Sequence, residues 1–231
     1  MPCAIITGAS RGLGFALASR LLAEGWKVYG FSRQATGPEH PAFEAVSVDV
    51  GDADAVQRAV DSLSQRGEKI DLLVNNAGAA SLNACLLTPS DVVASIMRVN
   101  FLGTFHMLQA VGKMMVRQRR GDIINISTVA VPLSLPGEAA YVASKAAVEG
   151  LTQVAAQELA AAGVHVQAVG FGPIATDLTR AVSAEQLRSL NQKIGRPQGT
   201  TLAEAVEFIL ECYAQRRPGP HYLAAQLPKP F

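Results

Sequence analysis

The chain has 231 residues, a formal net charge of +1, 49% hydrophobic residues and 17% charged residues. This is a globular and not a disordered composition, long enough for a core that needs no staples, and its near-neutral charge argues against nucleic acid or an anionic membrane as partner. Cys3, Cys85 and Cys212 are odd in number, far apart and without a CxxC pair, which argues against a disulfide framework. His40, His106, His165 and His221 lack metal-ligand spacing, so no metal is expected. No apolar run reaches the ~18 residues of a membrane span, and the N-terminus has no basic leader. The expectation is a soluble cytoplasmic protein.

In chain order, a strand over 3–7 runs into a glycine-rich turn and a helix over 13–24 that Gly25 stops. A second strand covers 27–31, a proline-bearing loop 33–41, and a third strand 45–50. A helix over 53–65 precedes a fourth strand at 71–75. A long helical pattern spans 91–116, a fifth strand 122–126, and a helix 138–162. A sixth strand covers 164–169, helices 184–190 and 203–214, and a short last strand 221–225. Strand and helix alternate and several strands are continuously apolar, the pattern of a parallel sheet covered on both faces. The fold class is therefore α/β, a Rossmann-like doubly wound parallel sheet of about seven strands in one domain over 1–231.

The turn after the first strand reads Thr7-Gly8-Ala9-Ser10-Arg11-Gly12-Leu13-Gly14, a GxxxGxG variant of the dinucleotide fingerprint. Its glycines permit close backbone approach to a phosphate, and the helix it opens offers N–H groups to a pyrophosphate. No Gly-Lys-Ser/Thr closes it, so it is not a Walker loop. The second strand ends at Ser32 and Arg33, where an NAD site would want a carboxylate for the ribose 2′-OH. Arg33 and Arg11 would instead suit a 2′-phosphate, which predicts NADP(H); the alternative is two solvated surface charges. Asp49 and Val50 end the third strand, where a carboxylate would accept from an adenine amino group or cap a turn. Asn75-Asn76-Ala77-Gly78 ends the fourth, lining a cofactor or serving only as turn chemistry.

Tyr141 and Lys145 lie four residues apart, on one face of a helix. An ammonium beside a phenol favours the phenolate and should lower the Tyr141 pKa, tuning it for proton exchange with a carbonyl or alcohol oxygen. On their own the two residues fit an exposed amphipathic face equally well.

Together, TGxxxGxG, a DV after the third strand, NNAG after the fourth, an Asn in the long helix and YxxxK resemble the short-chain dehydrogenase/reductase family, in its order and spacing, from about Cys3 to Thr176. Within it, the chain looks most like the 3-oxoacyl-carrier-protein reductase type. The resemblance implies that Gly8, Ser10, Arg11, Gly12, Leu13 and Gly14 hold pyrophosphate and ribose, and that Asn76, Ala77 and Gly78 flank the adenosine ribose. It makes Asn100 the support of a relay water, Tyr141 the general acid, and Lys145 the partner of the nicotinamide ribose. It places Gly172, Ile174 and Thr176 at the nicotinamide end.

Three departures stand out. Counting thirteen residues back from Tyr141, where the family has its serine, reaches Thr128, with Ser127 beside it as the alternative. Phe171-Gly172 stands where the family usually has Pro-Gly, which would reshape one wall of the cofactor pocket. The C-terminal stretch RRPGPHYLAAQLPKPF lacks the usual Asp-Gly-Gly turn, which puts a tetramer in doubt and leaves a dimer through 91–116 and 138–162. A lid is expected at about 177–197, with Leu178, Val182, Leu187, Leu190 and Ile194 beneath it. Arg119 matches a carrier-docking position, with Arg120 next to it, but the second expected arginine is Ala162. A basic helix C-terminus is the other explanation. The implied activity is NADPH-dependent reduction of a ketone or 3-oxoacyl thioester, free or acyl-carrier-bound, to a secondary alcohol. Its rivals are an NAD-linked secondary alcohol dehydrogenase and a non-catalytic NADP(H)-binding regulator.

Overall fold

The computed structural model describes residues 1–174, 176 and 183–227. The described residues include seven strands: β1 (Cys3–Thr7), β2 (Lys27–Ser32), β3 (Phe43–Ser47), β4 (Leu72–Asn75), β5 (Gly121–Thr128), β6 (Val164–Phe171) and β7 (Gly219–Leu223). They form one sheet in the order β3-β2-β1-β4-β5-β6-β7, every neighbouring pair parallel. The helices are α1 (Gly12–Ala23), α2 (Ala53–Gln65), α3 (Ser90–Met97), α4 (Gly103–Gln118), α5 (Ala130–Leu133), α6 (Ala139–Ala160), α7 (Ala184–Lys193) and α8 (Leu202–Gln215).

Successive strand side chains alternate between two cores. Ile5, Tyr29, Leu73 and Ile123 pack with Val56, Val60, Met107 and Met115 of α2 and α4. Ile6, Val28, Leu72 and Ile124 pack with Leu17, Leu21, Val206 and Ile209 of α1 and α8. Both faces are covered, which is why strands such as CAIIT and LLVN are apolar throughout. The chain winds outward from β1 to β3, then returns to β4 on the other side of β1. A crevice opens at the carboxyl ends of β1 and β4, the usual ligand position in such sheets.

Several boundaries move. β3 lies at Phe43–Ser47, earlier than the expected 45–50, because Phe43 to Ser47 register with Val28 to Ser32 and leave Val48 to Val50 as the exit to α2. β7 likewise starts early, at Gly219, in register with Gln167 to Phe171. The helix expected over 91–116 is divided: a π turn at Arg98–Leu102 separates α3 from α4. Two short elements escape the periodicity, a 3₁₀ turn at Cys85–Leu87 and α5.

Thr201 and Glu204 close a capping box at the start of α8, which carries Val206, Ile209 and Cys212 into the core. Thr201→Ala should cost about 1 kcal/mol and lower the melting temperature by roughly 2–4 °C in thermal unfolding. No helix among the described residues is long and apolar enough to cross a membrane. Among the described residues no group of three or more His, Cys, Asp or Glu side chains could hold a metal ion.

Candidate active site

The glycine turn is built by exclusion. Gly8 and Gly12 have φ of +70° and +58°, backbone that L side chains rarely adopt. A Cβ on Gly14 would sit 2.4 Å from the Gly8 carbonyl oxygen. At Gly12 the nearest atom to such a Cβ is Thr176 Cγ2 at 3.5 Å, so the segment after β6 returns against the turn. The N-cap residue of α1, Arg11, makes no side-chain capping bond to the helix. The end of β4 is tied to this turn through Thr7, whose Oγ1 accepts from the backbone N–H of Asn76 and of Ala77, each at 2.9 Å. Asn76 Nδ2 donates to the Thr7 carbonyl at 2.9 Å and to that of Gly8 at 3.4 Å. Asn76 thus shapes the turn, whatever it also touches.

At the end of β2, the buried Ser32 donates its hydroxyl to the Gln34 carbonyl, and Arg33 is exposed. Asp49 Oδ1 accepts from Gly51 N–H at 2.9 Å and Oδ2 from Arg98 Nη1 at 3.0 Å. Burial opposes ionisation of Asp49, but the Gly51 N–H, Arg98 and, more weakly, Arg33 outweigh it and hold its carboxyl below the usual range. Val50 is buried against Gly103. The turn-capping alternative for Asp49 is therefore realised, and its partial exposure leaves a further acceptor position open.

The reacting end gathers at β5, the π turn and α6. The Tyr141 hydroxyl lies beside that of Thr128, close enough to affect its acidity. Ser127, one residue earlier, points to the other side of the strand and donates to Glu149 Oε1 at 2.5 Å. Of the two candidate hydroxyls, Thr128 is the one beside Tyr141. Lys145 is buried and donates from Nζ to the Ile126 carbonyl at 2.7 Å. Asn100, fully buried in the π turn, donates from Nδ2 to the Ala79 carbonyl at 2.8 Å and to Ser144 Oγ at 2.9 Å. Its Oδ1 accepts from Ala79 N–H at 2.8 Å. Both amide protons are used, so Asn100 clamps the loop after β4 onto α6 and has no side-chain proton left for a water. A Cβ on Gly78 would lie 3.5 Å from Asn100 Oδ1 and 3.8 Å from Lys145 Nζ, which puts Gly78 between them. π turns of this kind recur at functional sites.

Two expectations need correction. Tyr141 is not tuned downward by Lys145 in this geometry: burial pushes its hydroxyl up to about 12, Glu138 adds to the rise, and the neighbouring Thr128 hydroxyl opposes it. Burial lowers Lys145 to about 8, against the pull of Glu149. Phe171 does not wall the cofactor crevice; it is buried against Phe208 of α8, ring centroids 6.1 Å apart. At Gly172 the close approach is by Ile194, whose Cδ1 would lie 2.5 Å from a Cβ there.

Ile174 is buried and bridges to Thr200. Of the expected lid, Leu187 and Leu190 are half-buried on α7 and Ile194 is fully buried, while Leu178 and Val182 lie outside the described residues. Arg119 and Arg120 stand just before β5, at the end opposite Thr128, and Arg120 pairs with Asp71 at 2.8 Å. Seven residue steps at ~3.3 Å separate the two ends of β5, roughly 23 Å. Thr7, Glu138, Ser144, Glu149 and Tyr222 take part in the site with no role foreseen. Thr7 and Ser144 lie inside the motifs, but their contacts join distant segments.

A sequence model for the family described as short chain dehydrogenase matches residues 2–187. The chain belongs to this family. It is 38% identical over 216 residues to a 3-oxoacyl-[acyl-carrier-protein] reductase from Synechocystis sp., covering 89% of this chain and 87% of that one. Among solved structures it is similar to a gluconate 5-dehydrogenase from Burkholderia cenocepacia in complex with NADP and tartrate, with a TM-score of 0.89, 27% identity, and coverage of 96% and 93%. It is also similar to a 3-ketoacyl-(acyl-carrier-protein) reductase from Brucella melitensis complexed with NADH, with a TM-score of 0.88, 26% identity and 96% coverage of each. As a short-chain dehydrogenase, the chain is an oxidoreductase whose seven-stranded parallel sheet is that of the family's dinucleotide-binding domain.

Proposed function

We propose that this short-chain dehydrogenase is an NADPH-dependent carbonyl reductase that converts a ketone, a 3-oxoacyl thioester being the favoured class, to a secondary alcohol. The reading rests on one convergence: the Tyr141 and Thr128 hydroxyls meet beside buried Lys145 and Asn100, at the sheet end that carries the glycine turn. The turn suits the cofactor, since Gly8 and Gly12 give it left-handed backbone and Gly14 lets it close tightly on the end of β4 at the start of α1. Gly8 to Gly14 would hold the pyrophosphate, Asn76 to Gly78 the adenosine ribose, Lys145 the nicotinamide ribose, and Gly172, Ile174 and Thr176 the nicotinamide end. NADPH, when bound, supplies the hydride for the carbonyl carbon.

The residues handle the proton. Thr128 and Tyr141 donate hydrogen bonds to the substrate oxygen, polarising the carbonyl. Tyr141 gives up its proton as that oxygen becomes an alcohol, and Lys145 stabilises the resulting phenolate until water replaces the proton. Asn100 keeps the loop after β4 and α6 in register. Of the expected lid, α7 would lie over the substrate, and exposed Phe105, Val116 and Val154 on α4 and α6 offer an apolar face for a dimer.

The relatives named as acyl-carrier-protein reductases support the thioester class, and the NADP and NADH complexes make the cofactor the first point to test. A screen of NADPH and NADH oxidation with free and carrier-bound 3-oxoacyl thioesters and plain ketones decides it. Turnover with NADPH and a thioester supports the reading; oxidation of secondary alcohols with NAD alone, or binding without turnover, replaces it with one of the rivals. Arg33→Asp should weaken NADPH about 10–100-fold, the scale of one or two charge-assisted hydrogen bonds, and favour NADH in fluorescence titrations.

A further inference from the structure

The buried carboxylate of Glu149 has no role in the scheme above. It lies on α6 four residues after Lys145, hence one helical turn further along the same face. The sheet beneath it carries a transverse row. Ser127 of β5 registers with Gly170 of β6, and Gly170 with Tyr222 of β7. Gly170 leaves the middle of the row open: a Cβ there would meet the Tyr222 ring at 2.5 Å. The Tyr222 ring therefore lies over Gly170, and its hydroxyl reaches Glu149 Oε1 at 2.6 Å. From the other side Ser127 Oγ donates to the same oxygen at 2.5 Å. The residue before Ser127, Ile126, accepts the Lys145 ammonium proton at 2.7 Å.

We propose that Glu149, clamped by Ser127 and Tyr222, is a positioning residue that keeps the Lys145 side chain charged beside Tyr141. This deepens the function proposed above and rests on its assignment of Lys145. An ammonium buried among apolar strands sheds its proton unless an opposite charge is near. Two hydroxyl donors on one carboxylate oxygen hold the Glu149 side chain in place against the sheet. The groups around Lys145 are few. α6 presents Tyr141 and Glu149, and β7 presents Tyr222 behind Glu149. β5 presents the Ile126 carbonyl with the hydroxyls of Ser127 and Thr128, and the π turn presents Asn100. Glu138 faces Tyr141 instead. Glu149 is the carboxylate acting on Lys145, and it opposes the effect of burial there. The arrangement also gives the edge strand β7 a route to the reacting end, through Tyr222.

The test is an NMR titration of protein carrying 13C-labelled lysine, from neutral to alkaline pH, with Lys145→Arg used to assign the signal. In Glu149→Gln the Lys145 midpoint should fall by about one pH unit, and Glu149→Asp should restore it. The alkaline limb of the kcat profile should move by the same amount. Should Glu149→Gln fail to fold, a triple variant (Ser127→Ala, Glu149→Met, Tyr222→Phe) replaces the cluster with apolar groups, a change proteins often tolerate; the same fall is expected. An unchanged Lys145 midpoint in a folded neutral variant overturns the proposal and leaves Glu149 as a structural tie. The titration needs no turnover: a shifted midpoint in a protein that reduces nothing keeps the coupling and removes the reductase reading, while an unshifted midpoint in an active reductase does the reverse.

Discussion

Tyr141→Phe should cut carbonyl reduction by ~10²–10⁴-fold, the usual contribution of a general acid, while NADPH binding survives. The change removes a single oxygen and leaves the ring, α6 and the glycine turn in place. The lost hydroxyl is the one facing Thr128; Asn100 has both amide protons engaged, and Lys145 is held on a backbone carbonyl and not against the substrate oxygen. The pH profile follows from the same geometry. With its hydroxyl pushed up to about 12, Tyr141 stays protonated through neutral pH and is ready to act as an acid. Lys145, lowered to about 8, is charged below that value and neutral above it. The rate of reduction should therefore be full on the acid side of about 8 and fall as pH rises through it. Stopped-flow NADPH oxidation and a cofactor titration on the same preparation check both points; near-normal rates in Tyr141→Phe would sink the mechanism.

Gly14→Ala should damage stability and nucleotide binding together. The added methyl would stand 2.4 Å from the Gly8 carbonyl oxygen and 2.6 Å from Asn76 Nδ2. The first is backbone within the turn, and the second is the amide that ties β4 to β1, so neither can yield without opening the crevice. Overpacking of this kind costs about 1–3 kcal/mol. The displaced turn would also lose its fit to a pyrophosphate. Gly150→Ala is the matching control, because a Cβ there meets nothing within 4 Å in the middle of α6. It should be neutral or stabilising by up to ~1 kcal/mol. Thermal unfolding with and without NADPH separates the two variants; equal melting temperatures would contradict the crowding argument.

Much of the sheet could be read from local pattern. CAIIT is apolar because α1 covers one of its faces and α4 the other, and its ends match the expected strand at both residues. The helix over 53–65 has the expected ends, and the structure shows Asp52 capping it and Val56, Val60 and Leu63 as its buried stripe. The break between α3 and α4 was not visible, since a π turn keeps the hydrophobic pattern running while shifting it by one residue. That shift is what turns Asn100 inward. Phe171 misled for a related reason: its place in the motif suggested the crevice, and its strand parity sent it to the α8 core.

The pair of Tyr141 and Lys145 shows where the boundary runs. Sequence alone determined their spacing, the helix that carries them, the parallel sheet beneath and the glycine turn upstream, because each depends on residues close together in the chain. The choice of Thr128 over Ser127, the upward shift of Tyr141, the engagement of Asn100 and the cluster of Glu149 and Tyr222 belong to tertiary structure. They are set by strand parity, burial and charges brought together from β5, α6 and β7, up to 73 residues apart in the chain. A hydrogen bond or a desolvation of that kind has no local signature, because it exists only once the strands have registered.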